Sequence, residues 1–238
     1  MKAKPNPFRL GLRALRRPSP KRIYRFRRRV KRLQAYLAVY TFPAEPPISE
    51  ALLTLYRAAG KLRQAHLIQK ALKPYGPPWY KLAKKRRKKW LRRFRRVWKA
   101  TYRTIRADLR RWAESFPPPW KSSLRMRRFW RHQVQNWVEA QKKRVLALPE
   151  VPTTPEALHQ VRQALRRWEL VGKWAELPLM PPAALTQLLG EARDLYLLLR
   201  WLRKKGASED FLQPIVAAQQ EKETQALELW RSWRSSLS

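Results

Sequence analysis

The residues of this chain most able to do chemistry are cations repeated at helical spacing. Residues 51–107 contain nineteen Lys or Arg and no Asp or Glu. Positions three and four apart share one helix face, so cations spaced this way over residues 81–110 would form a stripe roughly 45 Å long. We call the following set the basic stripe: Lys81, Lys84, Lys88, Arg92, Arg95, Lys99, Arg103, Arg106 and Arg110. A stripe with so few carboxylates nearby repels itself unless a polyanion neutralises it, so its expected chemistry is the binding of a long anion.

The whole chain has a large positive charge that is unevenly distributed along the sequence. The 238 residues carry a formal net charge of +39. Residues 1–150 contain 43 basic and 6 acidic side chains, whereas residues 151–238 contain 12 and 10. A hydrophobic fraction of 44% with twelve Trp can bury a core, so the chain is not a disordered basic tail. The composition therefore predicts a folded protein whose anion site is built mainly from the first half.

Several classes of function are disfavoured by what the sequence lacks. It contains no Cys and three His, which argues against a zinc site. It contains no GxxxxGK[ST], GxSxG or HExxH motif, and residues 51–107 offer no carboxylate that could hold Mg²⁺. We therefore expect a non-enzymatic protein without a cofactor or a metal site.

Two further absences concern localisation. No apolar run approaches about 18 residues, so no membrane span is expected. Residues 1–17 lack the apolar core of a signal peptide. A cytoplasmic protein is the default expectation.

Proline clusters divide the chain into segments with helical periodicity. Proline disrupts helix interiors and suits helix boundaries, and the segments between the clusters lack strand alternation. They predict an all-α protein, read as one domain over 1–238 with a strongly basic first half at 20–150 and a second half at 151–238. Thr153 and Thr154 are equally good caps for the fifth helix, and Pro214 marks a point where the last helix could restart. The predicted helices are 20–42, 48–73, 79–116, 121–148, 155–177, 182–205 and 208–236.

An internal repeat links the two halves. Apolar positions of residues 23–33 recur in 158–168 at an offset of 135, and residues 60–72 recur in 190–202 at an offset of 130. Beside each apolar face runs a polar stripe, formed by Tyr24, Arg27 and Lys31 in one copy and by His159, Arg162 and Arg166 in the other. Two matches in the same order predict a duplicated helical unit with pseudo-twofold symmetry.

The motifs of the second copy resemble those of the CHAD family, the conserved histidine α-helical domain. The resemblance rests on residues 155–167 and on the Leu-Gly-Glu-Ala-Arg-Asp run at 189–194, and in order it extends over roughly residues 20–236. It implies an all-α domain of two helical bundles related by a pseudo-twofold. The bundles would line a basic groove or pore that binds inorganic polyphosphate. Members of the family are associated with polyphosphate granules, which implies the same location here.

The resemblance also suggests which residues bind. The expected polyphosphate ligands are Tyr24, Arg27, Lys31, Arg63, His159, Arg162, Arg166 and Arg193, followed on charge pattern alone by Lys84, Lys88, Arg92, Arg95 and Lys99. Arg offers a planar fork for phosphate oxygens and Lys offers a mobile point charge. Asp194 is expected to hold a neighbouring arginine in place rather than to bind the ligand.

Two positions depart from the family pattern. The first copy has Tyr24 at the motif histidine and Gln64 after Arg63 where the motif has Asp. A tyrosine hydroxyl can donate a hydrogen bond to phosphate but cannot become cationic. The remaining histidines are weaker candidates, because His66 has apolar neighbours and His132 lies in a basic patch.

Two other readings stay open at this point. The same charge fits an RNA- or DNA-binding protein if the tryptophans stack on bases, although helical spacing favours core packing for most of them. A scaffold that recruits an acidic partner protein is a third possibility. The tryptophans at issue are Trp90, Trp98, Trp112, Trp130, Trp137, Trp168 and Trp201.

Overall fold

The computed structural model describes residues 6–118, 123–175, 177 and 180–237, and over these residues the protein is all-α, as predicted. A 3₁₀-helix precedes seven α-helices. The 3₁₀-helix, which the sequence did not reveal, is Leu12–Arg16, and the α-helices are α1 Pro20–Tyr40, α2 Glu50–Ala71, α3 Trp79–Ser115, α4 Leu124–Leu146, α5 Pro155–Ala175, α6 Ala183–Arg203 and α7 Glu209–Ser235. None of the described helices is long and apolar enough to cross a membrane.

The chain forms two compact units, Met1–Gln133 and Val134–Ser238, and the division lies within α4. In the first unit α2 packs against both α1 and α3. The repeat's apolar positions on α1, including Phe26 and Val30, are at most 1% exposed. Burying side chains of this size stabilises the fold by roughly 1.5–3 kcal/mol each. The apolar half of the first repeat is therefore the core face of α1.

An aromatic cluster surrounds Tyr36 in the first unit. The ring of Tyr36 stacks on Trp130 with a centroid distance of 5.2 Å and meets Phe8 edge-on at 5.8 Å. Its hydroxyl donates to the carbonyl oxygens of Phe116 and Pro117, each at 3.1 Å. Burial raises the pKa of Tyr36 above its ordinary value. The hydroxyl thus stays protonated and ties α1 to the chain that follows α3.

Helix α3 separates an apolar face from a charged face over 37 residues. Phe94 and Ile105 are fully buried, whereas the predicted ligands of the basic stripe are exposed: Lys84, Lys88, Arg92, Arg95 and Lys99. The predicted placement of these cations on one face of a helix is confirmed.

The second unit encloses a tryptophan-rich core. Trp168 of α5 meets Trp233 of α7 edge-on at 5.6 Å, and Trp230 is 1% exposed. The indole N–H of Trp230 donates to the Pro149 carbonyl oxygen at 3.3 Å, which satisfies the polar end of a buried ring. Helix α7 packs mainly along α6.

A local cap explains where α5 begins, whereas packing explains why α7 is continuous. The hydroxyl of Thr154 accepts from the Ala157 backbone N–H at 3.1 Å, so Thr154 is the cap that the sequence left undecided. Helix α7 does not restart at Pro214 but continues through it. The hydrogen bond lost at Pro214 is outweighed by burial on either side of it, since Leu212 and Ile215 are at most 5% exposed.

Candidate polyanion-binding site

The first unit places motif residues of α1 and α2 in contact. The Arg27 guanidinium donates to the Tyr56 carbonyl oxygen at 2.9 Å and to the Tyr56 hydroxyl at 3.2 Å. Its central carbon also lies 4.2 Å from the centroid of the Tyr56 ring, a cation–π distance. Arg27 is therefore fixed by a residue that the sequence did not reveal as a partner. We call Tyr24, Arg27, Tyr56 and Arg63 the first cluster.

Two cations lie close together in the first cluster. Burial lowers the pKa of Arg27; Tyr56 opposes the shift and nearby Arg63 adds to it. The guanidinium carbon of Arg63 lies 5.5 Å from the ring centroid of Tyr24, which is 43% exposed. Two nearby guanidinium groups and an exposed phenol can act together as donors to a phosphate. Lys31 follows Arg27 by about one turn of α1 and is half-buried.

The second unit gathers the corresponding motif residues around a small cavity of about 20 Å³. His159 and Arg162 come from α5 and Arg193 comes from α6. The guanidinium carbon of Arg193 lies 4.8 Å from the ring centroid of Tyr196. We call the following set the second cluster: His159, Arg162, Arg193, Tyr196 and Glu223. A cavity of this size holds about one water molecule, so a phosphate group would bind at its mouth or widen it.

Arg166 differs from the other predicted ligands of the second unit. It is not among the residues that line this cavity. Its guanidinium forms an ion pair with Glu169, three residues further along α5. A carboxylate that already pairs with Arg166 weakens the attraction of this guanidinium for a further anion.

A glycine faces the motif arginine in both units. A Cβ atom placed on Gly60 of α2 would lie 2.6 Å from Arg27 Nη1, and one on Gly190 of α6 would lie 4.0 Å from Arg162 Nε. In each unit, then, the first residue of the second repeated segment lies against the arginine of the first segment. This pairing agrees with a duplicated helical unit. At Gly60 the close approach of Arg27 explains why a residue without a side chain occupies a helix interior despite its low helix propensity, whereas at Gly190 the distance leaves room for a Cβ atom.

The basic stripe is a separate feature of the first unit. Its members project to solvent, while Arg86 and Arg87 of the same helix are half-buried. Burial lowers the pKa of His66 on α2, and the charge of Arg87 lowers it further. His66, expected as a packing or surface residue, is thus half-buried and close enough to Arg87 to be affected by its charge.

The tryptophans are mostly structural. Five of the seven considered above are buried, at 8% exposure or less: Trp112, Trp130, Trp137, Trp168 and Trp201. Trp90 and Trp98 are half-buried, and the Trp98 indole N–H donates to the Leu12 carbonyl oxygen at 3.1 Å. Core packing is confirmed for the five. A base-stacking surface has correspondingly little support.

Within the described ranges, no group of three or more His, Cys, Asp or Glu residues could hold a metal ion. The fold and the clusters define a helical protein whose two units each bring basic motif residues of two helices together. The chain matches the CHAD domain family over residues 10–170, and it belongs to that family. This match includes both α1 and the motif histidine of α5, whereas Arg193 lies beyond it. No curated protein and no solved structure matches the chain.

Proposed function

We propose that this protein binds inorganic polyphosphate without acting on it chemically. Membership of the CHAD family supports a polyphosphate-related role. The observation that carries the proposal is the exposed basic stripe on α3, whose members from Lys81 to Arg106 lie in a stretch, residues 51–107, that contains no carboxylate. Polyphosphate has about one negative charge per phosphate and no base to recognise, so a dense row of cations is a suitable partner.

The two clusters supply the ligands that are fixed in geometry. Arg27, Arg63, His159, Arg162 and Arg193 are held on helices, and rigid donors lose less conformational freedom on binding than flexible ones. The exposed lysines and arginines of the stripe add a charge field that attracts the polymer. We further propose a cytoplasmic location, at polyphosphate granules, since a protein with these properties would accumulate where the polymer is stored.

Competition binding tests the proposal. A labelled long-chain polyphosphate is displaced by unlabelled polyphosphate, single-stranded RNA or duplex DNA, at matched phosphate concentration and near-physiological salt. We expect polyphosphate to compete at least about tenfold better, a difference of about 1.4 kcal/mol. Equal or better competition by RNA or DNA would replace the proposal with nucleic-acid binding, and salt dependence alone does not separate the two because both polymers release counterions.

A matched pair of variants tests the stripe itself. Lys88→Gln with Arg92→Gln removes two exposed cations from the stripe, and Lys204→Gln with Lys205→Gln removes two exposed cations that follow α6. Each exposed ion pair contributes up to about 1 kcal/mol, so the stripe variant should lose roughly tenfold in affinity. The control variant should lose less than about twofold in affinity, because its two cations lie outside the stripe and their charge is screened by solvent. Equal losses would mean that net charge, and not the stripe, determines binding.

A further inference from the structure

A carboxylate lies among the basic motif residues of the second unit. Glu223 of α7 lines the same cavity as His159, Arg162 and Arg193. Because the cavity is small, the carboxylate and these three side chains lie close to one another. An anion that approaches the two arginines also approaches Glu223.

The position of Glu223 is held by its surroundings. Its Oε1 accepts from the Gln219 side-chain amide at 2.7 Å, one turn earlier on α7. The preceding residue, Lys222, pairs with Glu191 of α6 at 3.7 Å, which ties this part of α7 to the helix that carries Arg193. The hydrogen bond favours the position of the carboxylate at the cavity, and the ion pair favours the position of this part of α7.

The first unit has no equivalent carboxylate on its second and third helices. After Glu50, at the start of α2, the next acidic residue is Asp108, near the end of α3. Arg27 and Arg63 therefore meet an incoming phosphate without a carboxylate from residues 51–107. Both clusters therefore bring together arginines of two helices, and the second cluster also contains the carboxylate of Glu223.

We propose that Glu223 determines the affinity of the second cluster for anions, by opposing phosphate at His159, Arg162 and Arg193. The inference rests on the proposed function, because it concerns the binding of the same polymer. The first cluster and the stripe would then supply most of the affinity, and the second cluster would add a contribution that Glu223 limits.

Glu223→Gln is the direct test, with Glu228→Gln as its control. Both substitutions remove one negative charge from α7, and Glu228 is exposed and does not line the cavity. The Gln side chain keeps the size of Glu. Removing a charge within several ångströms of a bound phosphate should tighten polyphosphate binding by roughly three- to tenfold, given an effective dielectric between that of the protein surface and that of water. Glu228→Gln should tighten binding by less than about twofold, because its charge is screened by solvent.

The outcomes separate the inference from the proposed function. If the unaltered protein does not bind polyphosphate, the proposed function fails. If it binds but Glu223→Gln changes affinity no more than Glu228→Gln, or weakens binding, the role of Glu223 is refuted. Glu223→Ala, which removes the carboxylate without adding an amide, guards against an effect of the new side chain, and unchanged helical circular dichroism of each variant excludes misfolding.

A double-mutant cycle with Arg162 tests whether Glu223 acts through the second cluster. If it does, the gain from Glu223→Gln should fall to less than about twofold when Arg162 is replaced by Gln, since residues that act on one site are not additive. A gain that persists unchanged in the Arg162→Gln background would show that Glu223 acts elsewhere, and would overturn the assignment.

Discussion

The same substitution at two repeat-related glycines should have opposite effects on stability. Gly60 and Gly190 each lie in the interior of a helix, where Ala is favoured over Gly by about 0.8–1.0 kcal/mol. A Cβ atom on Gly190 would lie 4.0 Å from Arg162 Nε, an ordinary contact. A Cβ atom on Gly60 would lie 2.6 Å from Arg27 Nη1, so the guanidinium would have to move.

The size of the destabilisation by Gly60→Ala follows from the contacts with Tyr56 that Arg27 would lose. The displaced guanidinium gives up two hydrogen bonds to Tyr56, at about 1 kcal/mol each, and a cation–π contact of about 0.5–1 kcal/mol. After the gain in helix propensity is subtracted, Gly60→Ala should lower the free energy of unfolding by about 1–2 kcal/mol. Gly190→Ala should raise it by about 0.5–1 kcal/mol. The two variants should therefore differ by roughly 2 kcal/mol in the free energy of unfolding.

Urea unfolding followed by circular dichroism at helical wavelengths measures this difference. Tyr56→Phe provides a check, since it removes only the side-chain hydrogen bond and should reduce the harm of Gly60→Ala in the double variant. If Gly60→Ala stabilises the protein as much as Gly190→Ala does, Arg27 is not locked against Tyr56. The account of the first cluster as a fixed donor would then be wrong.

Three further predictions concern single side chains. Tyr36→Phe should lower the free energy of unfolding by about 1–2 kcal/mol in a urea titration, because two backbone carbonyl oxygens lose their donor. Arg166→Gln should weaken polyphosphate binding less than Arg162→Gln in a titration of the labelled polymer, because Arg166 pairs with Glu169 and does not line the cavity of the second cluster, whereas Arg162 does line it; an equal loss would contradict this. The pKa of His66 is lowered in the folded state, so the unfolded chain binds a proton at this residue more readily than the folded chain does. The free energy of unfolding should therefore fall as the pH drops through the ordinary pKa of histidine. In urea titrations between roughly pH 7.5 and 5, His66→Gln should make the free energy of unfolding less dependent on pH.

The helices could be predicted from sequence because their signals are local. Proline clusters and side-chain caps such as Ser49 and Ser208 act within a few residues of each boundary, and both hydroxyls accept from backbone N–H groups as expected for caps. The continuity of α7 through Pro214 was not predictable in this way. It depends on burial of Leu212 and Ile215 in the folded unit, which a local pattern does not contain.

The candidate site was predictable only in part, for a related reason. The repeat identified Arg27 and Arg162 because equivalent positions recur at a fixed offset. It could not identify Tyr56 as the partner of Arg27, or Glu223 as a member of the second cluster, since neither residue belongs to a repeated motif. Both are brought to their clusters by helix packing. The ion pair between Arg166 and Glu169 shows that a residue predicted as a ligand can already have a carboxylate partner.

Under the proposed function, the unequal charge of the two units would make the stability of the first unit depend on the bound polyanion. Residues 1–133 contain 40 Lys or Arg and 4 Asp or Glu, whereas residues 134–238 contain 15 and 12. Uncompensated like charge raises the free energy of a compact state, so the feature that attracts a polyanion to the first unit also destabilises that unit in its absence. A bound polyanion relieves the repulsion and stabilises the fold by mass action at the same time. In the second unit the positive and negative charges are nearly equal in number, and Glu223 offsets part of the positive charge within the second cluster. If the proposed function holds, a bound polyanion should therefore stabilise the first unit more than the second.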